Sequence, residues 1–174
     1  MRYEVLNGSR AGGLLDAMRD LYADVYAEPP YCEGEEHVSQ FVEHFADEVN
    51  RPGFTLVEAT EDQSLIGAVY GWTMAPGKWF GSPTGEPPAE VRDSPKFAII
   101  EWMVRRNHRG TGVGRHLIDL ILASRSEPFA ILASNPAALA RQIYEQWGWQ
   151  HCGGTNPPLM PPMDVLVLPL NRTE

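Results

Sequence analysis

Three glycines, Gly110, Gly112 and Gly114, alternate with Thr111 and Val113 immediately ahead of an apolar repeat at helical spacing. No other stretch restricts the chain as much. Before them, residues 97–104 read FAIIEWMV, an almost wholly apolar run interrupted by one carboxylate, Glu101. Such a run is the pattern of a short buried strand. After them, Val113, Leu117, Leu120 and Ile121 share one helical face. Strand, glycine turn and helix in that order make an anion site. Glycine lets backbone approach a ligand and take positive φ, the first N–H groups of a helix lack intrahelical partners, and the dipole there favours negative charge. Arg105, Arg106 and Arg109 add positive charge beside the turn, and a diphosphate is its natural occupant.

Several phosphate-binding turns compete for this reading. A Walker loop ends in Gly-Lys-Ser/Thr, whereas Gly114 is followed by Arg115 and His116. A dinucleotide fingerprint needs GxGxxG with an acid at the end of the next strand. Here the turn is GxGxG, Arg115 stands where the last glycine belongs, and Ser134 and Asn135 end the next strand. A glycine-rich turn without function would have to explain the three arginines.

The flanking segments supply a framework. Residues 2–6 read as a first strand ended by Asn7-Gly8. Leu14, Met18, Leu21, Tyr22 and Val25 give an amphipathic helix that Pro29-Pro30 stops. Val38, Phe41, Val42, Phe45 and Val49 give a second, closed by Arg51-Pro52-Gly53. Residues 54–60 and 65–73 read as a hairpin, and Gly67 and Gly71 mark a bulge or a close neighbour. Residues 74–96, rich in Pro and Gly, are long for a structureless loop and read as an insertion. Residues 129–134 form a further strand; Asn135-Pro136 then predicts a helix start, with Asn as cap. Ala140, Ile143, Tyr144 and Trp147 make that helix's apolar face, and Gly148 ends it. Residues 149–152 and 163–168 complete the strands, with a Pro/Gly loop at 153–162. The order predicts an α/β (α+β) fold, one mixed central sheet flanked by helices.

With 174 residues, 43% hydrophobic and 21% charged, residues 1–174 are expected to form a single domain. The net charge of -9, from 14 basic and 23 acidic residues, argues against a nucleic-acid partner. It would suit cationic partners such as amines, but simple solubility is the stronger reading. Cys32 and Cys152 have no metal-like spacing and are expected to be free thiols, with one disulfide as the lesser alternative; no metal is expected. The first residues have no apolar h-region, and no apolar run is long enough to span a bilayer. A soluble, cytoplasmic protein is the expectation.

The glycine turn resembles motif A of the GNAT superfamily of N-acetyltransferases, Arg/Gln-x-x-Gly-x-Gly/Ala, through Arg109, Gly112 and Gly114. Its lead-in, from Val104 through His108, Arg109 and Gly110, resembles the family's Val-x-Pro-x-Tyr-Arg-Gly, with Arg106 in place of the proline. Downstream, Asn135, Ala138, Tyr144, Gly148 and Trp149 resemble motif B, Asn-x-x-Ala followed by Tyr and a Gly-aromatic pair. Two motifs in order are more specific than either alone, and together they cover residues 97–149.

The resemblance implies an enzyme using acetyl-CoA, held between two splayed parallel strands, residues 97–104 and 129–134. The amides of Arg109, Gly110, Thr111, Gly112, Val113 and Gly114 would hold the pyrophosphate. The backbone of Met103 and Val104 would pair with the pantetheine arm, and Asn135 would reach the same arm. Asn135 also serves as a helix cap, and Met103 and Val104 would be core in any buried strand. Tyr144 matches the tyrosine that the family often uses as the acid for the departing thiolate, although it also lies on the apolar helix face. Glu101 is the candidate base, since burial raises a carboxyl pKa toward useful values; its rival role is a structural acid with a paired partner.

The expected acceptor is a primary amine, attacked in a ternary complex. By resemblance its site would draw on Tyr31, Glu33, Glu35, Glu36 and residues 153–162. The 74–96 insertion, with Trp79 and Phe80, could form a lid or a homodimer contact. A non-catalytic acyl-CoA-binding module of the same fold, and a nucleotide-binding protein, are the readings from other classes.

Overall fold

The computed structural model describes residues 1–170. Its seven strands are β1 (Arg2–Asn7), β2 (Thr55–Glu61), β3 (Ser64–Met74), β4 (Lys96–Val104), β5 (Phe129–Ser134), β6 (Gln150–Thr155) and β7 (Met163–Pro169). Its helices are α1 (Gly8–Ala11), α2 (Leu15–Tyr26), α3 (Glu35–Glu48), α4 (Ala89–Arg92), α5 (Val113–Leu122) and α6 (Leu139–Gln146). The strands form one mixed sheet in the order β1-β2-β3-β4-β5-β7-β6. Backbone contacts gather into two compact units, Met1–Trp72 with Ile100–Arg125, and Thr73–Ile99 with residues 126–170.

In the first unit, β1, β2 and β3 are antiparallel neighbours. Period-2 alternation sends Leu56, Ala68 and Tyr70 to one face, where Met18, Leu21, Tyr22 and Val25 of α2 meet Phe41 and Phe45 of α3. Each large apolar side chain buried this way contributes about 2–3 kcal/mol over leaving it in water. Val57 and Val69, paired across the hairpin, belong to the opposite face. Gly67 belongs there too, and it answers both halves of the sequence expectation. The register shifts beside it, between Ala59 and Thr60. A Cβ at Gly67 would also meet the Met103 carbonyl oxygen at 3.0 Å and Leu117 of α5 at 3.2 Å. Asn7 ends β1 as expected and turns the chain into α1, its Oδ1 accepting from the Arg10 N–H at 3.1 Å.

In the second unit, β4 pairs in parallel with β5 from Lys96↔Phe129 to Ile99↔Leu132, and β5 pairs antiparallel with β7 along its whole length. The 74–96 insertion is anchored at three points. Lys96 is fully buried, and its ammonium donates to the carbonyls of Ala75, Arg92 and Ser94 at 3.2, 2.8 and 3.1 Å. The Trp79 ring lies 5.8 Å from the same Nζ. Farther along, the Thr84 N–H donates to Gly154 O, the Asn156 N–H donates to Ser82 O, and the Thr155 hydroxyl donates to Gly81 O. These bonds lay the insertion along β6, the last strand of the order, and occupy part of an edge that would otherwise be open.

One sequence expectation is corrected here. The helix after β5 starts at Leu139, with Ala138 as its cap residue, and not at Asn135-Pro136. The Asn135 side chain instead closes a local turn, its Oδ1 accepting from the Ala137 N–H at 2.9 Å. An Asx turn competes with helix capping for the same residue type. The helix end is as expected. Gly148 has φ +91, the Trp149 N–H donates to Tyr144 O, and the Gly148 N–H donates to Glu145 O, the paired bonds of a Schellman stop. Cys32 and Cys152 are free thiols. Among the described residues no helix is long and apolar enough to cross a membrane.

Candidate functional site

Within the first unit, the end of β4, the turn and the start of α5 bring together Glu101, Met103, Val104 and the turn residues. After Val104 a short 3-10 turn, Arg106–His108, leads into the glycines. Gly110 and Gly112 have φ +73 and +91, and a Cβ on either would meet nothing within 4 Å. Left-handed backbone asks for glycine here, and the space beside both glycines is open. The first bond of α5 runs from the His116 N–H to Gly112 O. The amides of Val113 and Gly114 therefore have no partner within the helix and can serve an anion. Thr111 closes the turn from inside, its hydroxyl donating to His108 O at 2.6 Å. The turn thus offers a diphosphate open backbone and a helix start.

Gly114 differs from the other two. A Cβ there would make ordinary contacts, 3.6 Å to Val104 Cγ2 and 3.8 Å to Trp102 Nε1. Folding alone does not demand glycine at this position. We therefore expect Gly114→Ala to leave the melting temperature unchanged or raise it, since alanine gains up to about 1 kcal/mol over glycine in a helix. If a diphosphate lies against Gly114 as the resemblance implies, affinity for coenzyme A should fall by about tenfold, because the backbone can no longer be approached as closely. Thermal melting and calorimetric titration of the same variant check both halves.

The arginines are placed differently from the sequence expectation. Arg105 donates to Leu65 O at 2.9 Å and pairs with Asp24 at 2.7 Å. Arg109 donates from Nε to Val104 O at 2.9 Å and pairs through Nη1 with Glu28 at 2.8 Å. Arg106 reaches Glu28 only at 3.5 Å. Their charge is met by carboxylates of α2 and the loop after it, so the backbone, more than the guanidinium groups, is what the turn leaves open.

Glu101 keeps part of its surface exposed, but its carboxyl group is enclosed among tyrosines. Tyr26 at the end of α2 donates its hydroxyl to Glu101 Oε2 at 2.6 Å. Tyr22 donates to Glu33 and Tyr70 donates to Glu48. Tyr31 stands edge-on to Tyr26, with ring centroids 4.9 Å apart. Burial pushes the Glu101 carboxyl up to about 8; the Tyr26 bond opposes that rise, and the charges of Glu33 and Glu48 add to it. Burial also raises Glu33 above the ordinary carboxylate range, against its bond from Tyr22. The result is a carboxyl group poised to exchange a proton slightly above neutral pH.

The sequence reading placed Glu101 in the strand but missed its partner. Tyr22 and Tyr26 are four residues apart, so they share a helix face, and that spacing was the available signal. Glu28, which fixes Arg109, was legible only as part of an acidic link. Glu33 joins this cluster through Tyr22. Glu35 and Glu36 instead occupy the first turn of α3 and are exposed. Met103 is fully buried, and Val104 O is engaged by Arg109.

Asn135 and Tyr144 belong to the second unit. Asn135 is buried at the end of β5. Tyr144 is half-buried on α6, its ring centroid 6.5 Å from that of Trp149. On the same helix Arg141 pairs with Glu145 at 2.7 Å and with Asp164 of β7 at 3.0 Å, which ties α6 to its neighbouring strand.

Comparisons with known proteins bear on this arrangement. No curated protein sequence matches the chain significantly. Solved structures do match its fold. An aminoglycoside 6'-acetyltransferase type Ii is 15% identical, with TM-score 0.68 and full coverage of both chains. The PaiA N-acetyltransferase of Thermoplasma acidophilum, solved with coenzyme A, is 14% identical with TM-score 0.61, covering 97% of this chain and 99% of its own. The ribosomal-protein-S18-alanine N-acetyltransferase of Escherichia coli is 13% identical with TM-score 0.64, covering 99% and 96%. The sequence model of the acetyltransferase (GNAT) family matches residues 15–149, a span that runs from the start of α2 through the glycine turn to Trp149. By that match, on the strand order and turn described above, the chain belongs to the acetyltransferase (GNAT) family.

Proposed function

We propose that this protein is an N-acetyltransferase that moves an acetyl group from acetyl-CoA directly to a primary amine within a ternary complex. The observation that carries the proposal is the open glycine turn, Gly110 and Gly112 in left-handed backbone at the start of α5, beside an enclosed Glu101. The amides of Arg109 through Gly114 hold the pyrophosphate, and the backbone of Met103 and Val104 pairs with the pantetheine arm. The solved neighbour with coenzyme A bound supports acetyl-CoA as the co-substrate. Asn135 and Tyr144 carry the roles that the family resemblance implies, pantetheine contact and acid.

An ammonium has no free electron pair, so the acceptor must lose a proton before its nitrogen attacks the thioester carbonyl. Glu101 takes that proton, directly or through a water. The new C–N bond forms, the C–S bond breaks, the Tyr144 hydroxyl protonates the departing thiolate, and the second proton shed by the nitrogen as it becomes an amide returns to the tyrosinate through water. Backbone N–H groups stabilise the oxyanion between those events. Tyr26 tunes the base: its hydroxyl bond favours the ionised form of Glu101. Tyr26→Phe should therefore shift the rising limb of the pH–rate profile to higher pH. Turnover should drop several-fold at pH 7 and recover toward wild type at pH 9, roughly a unit of displacement. A rate profile from pH 6 to 10 checks this.

The test of the reaction itself is acetyl-CoA consumption across amines, amino acids, polyamines, aminoglycosides and peptides. Turnover on one amine class supports the proposal. Turnover only on hydroxyl or anionic acceptors ends it, and binding of coenzyme A without any turnover returns the chain to a non-catalytic acyl-CoA-binding module.

A further inference from the structure

We propose that Glu28 is a positioning residue for the cofactor turn and acts through Arg109. This rests on the reading of the turn as the coenzyme A site. Arg109 is the first residue of the amide row, and its side chain doubles back across the turn to the last carbonyl of β4, Nε to Val104 O at 2.9 Å. Glu28 holds the other side of the same guanidinium, at 2.8 Å from Nη1. The two bonds fix the plane of the group, and with it the path of the chain from Val104 to Gly110. Without Glu28 a single hydrogen bond to a carbonyl would have to hold an arginine side chain that is 43% exposed. Arg106, 79% exposed and 3.5 Å from the same carboxylate, is a loosely held surface pair and competes little with Arg109 for it.

Glu28 also has a second attachment. Its backbone carbonyl accepts from the N–H groups of Tyr31 and Cys32, both at 3.0 Å. Two residues before it, Tyr26 bonds Glu101 through its hydroxyl and accepts from the Glu33 N–H through its carbonyl, at 2.6 and 2.9 Å. One residue thus ties the turn that meets the cofactor to the loop that surrounds the candidate base. A carboxylate in this place could instead act as a counter-ion that the diphosphate displaces. The two roles give opposite signs on binding, which makes them separable.

The experiment compares wild type, Glu28→Gln and Glu28→Ala. It uses amide hydrogen exchange of residues 109–114 without ligand, calorimetric affinity for coenzyme A, and thermal melting as a fold check. Glu28→Ala should speed exchange across the turn and weaken coenzyme A by roughly five- to tenfold, the worth of one charge-assisted bond. Glu28→Gln, which keeps an acceptor oxygen, should recover most of the loss. With acetyl-CoA saturating, kcat should stay within about twofold of wild type, a split between binding and turnover that general destabilisation does not produce. Unchanged exchange with unchanged affinity overturns the proposal, and so does tighter binding in both variants. Faster exchange in Glu28→Ala, beside a wild type that binds no coenzyme A, supports the clamp and removes the cofactor reading on which its purpose rests.

Discussion

Glu101→Gln is expected to lower kcat by on the order of a hundredfold or more, the usual worth of a positioned general base. It should also remove the rise in rate that wild type shows as pH passes about 8, the value to which burial pushes the carboxyl group. The sign follows from the chemistry. Only the carboxylate accepts a proton, so wild-type activity grows as Glu101 ionises, and the amide has nothing to ionise. Stability should move the other way. The folded state raises this carboxyl from 4.5 to about 8, so between those values the folded chain holds a proton that the unfolded chain releases. Its contribution is fully present below pH 4.5 and is lost as pH climbs through 8. Above that pH glutamine, which carries no buried charge, should melt at a higher temperature than wild type. A less active but more stable variant at pH 9 is the signature of a strained functional carboxylate; a purely structural acid would lose stability on substitution.

Lys96→Met is expected to produce the largest loss of stability, about 3 kcal/mol or more, without touching the glycine turn. The ammonium is fully buried and serves three carbonyls, those of Ala75, Arg92 and Ser94. Methionine keeps the length of the stem but deletes three bonds from a charged donor. The Lys78 N–H still serves Ala75 O and the Gly77 N–H still serves Arg92 O, so the cost is the loss of three charge-assisted bonds at about 1 kcal/mol or more each. For a chain of this size the loss corresponds to roughly 6–12 °C in melting temperature. Limited proteolysis should locate the change in the 74–96 insertion, since Lys96 anchors its two ends. A fall of less than about 1 kcal/mol would mean that the bonds along β6 hold the insertion by themselves.

These two residues mark where the sequence was legible and where it was not. Glu101 could be seen because one acid in an apolar strand breaks a local pattern, and Gly110 and Gly112 because alternating glycines ahead of a helix leave few foldable alternatives. Helices α2, α3 and α5 and the β2–β3 hairpin followed from periodicity, which reports burial directly. Lys96 was read as the polar end of a loop, because nothing local distinguishes a buried lysine from an exposed one. Its partners stand up to 21 residues away, and only the folded backbone brings them together. Tyr26 escaped for a related reason: its bond to Glu101 spans 75 positions. Asn135 shows a different failure. An Asn-Pro pair after a strand suits a helix cap and an Asx turn equally well, and the choice was made by the chain that follows it, where α6 begins at Leu139.

The arginines carry the same lesson about charge. Arg105 and Arg109 looked like a positive surface awaiting phosphate, yet Asp24 and Glu28, 81 positions upstream in each case, meet them in the fold. Counting charge along the chain cannot reveal that pairing. What remained readable was the backbone geometry of the glycines, which is local.

The central claim is direct transfer of acetyl from acetyl-CoA to an amine, and two-substrate initial-rate kinetics tests it most directly, with the product identified by mass spectrometry. Using the best acceptor from the amine panel, double-reciprocal plots at several fixed acetyl-CoA concentrations should intersect, and the product should be the N-acetylated amine in equal amount to the coenzyme A released. Parallel lines with an acetylated enzyme, or coenzyme A release that does not depend on the amine, would contradict the account.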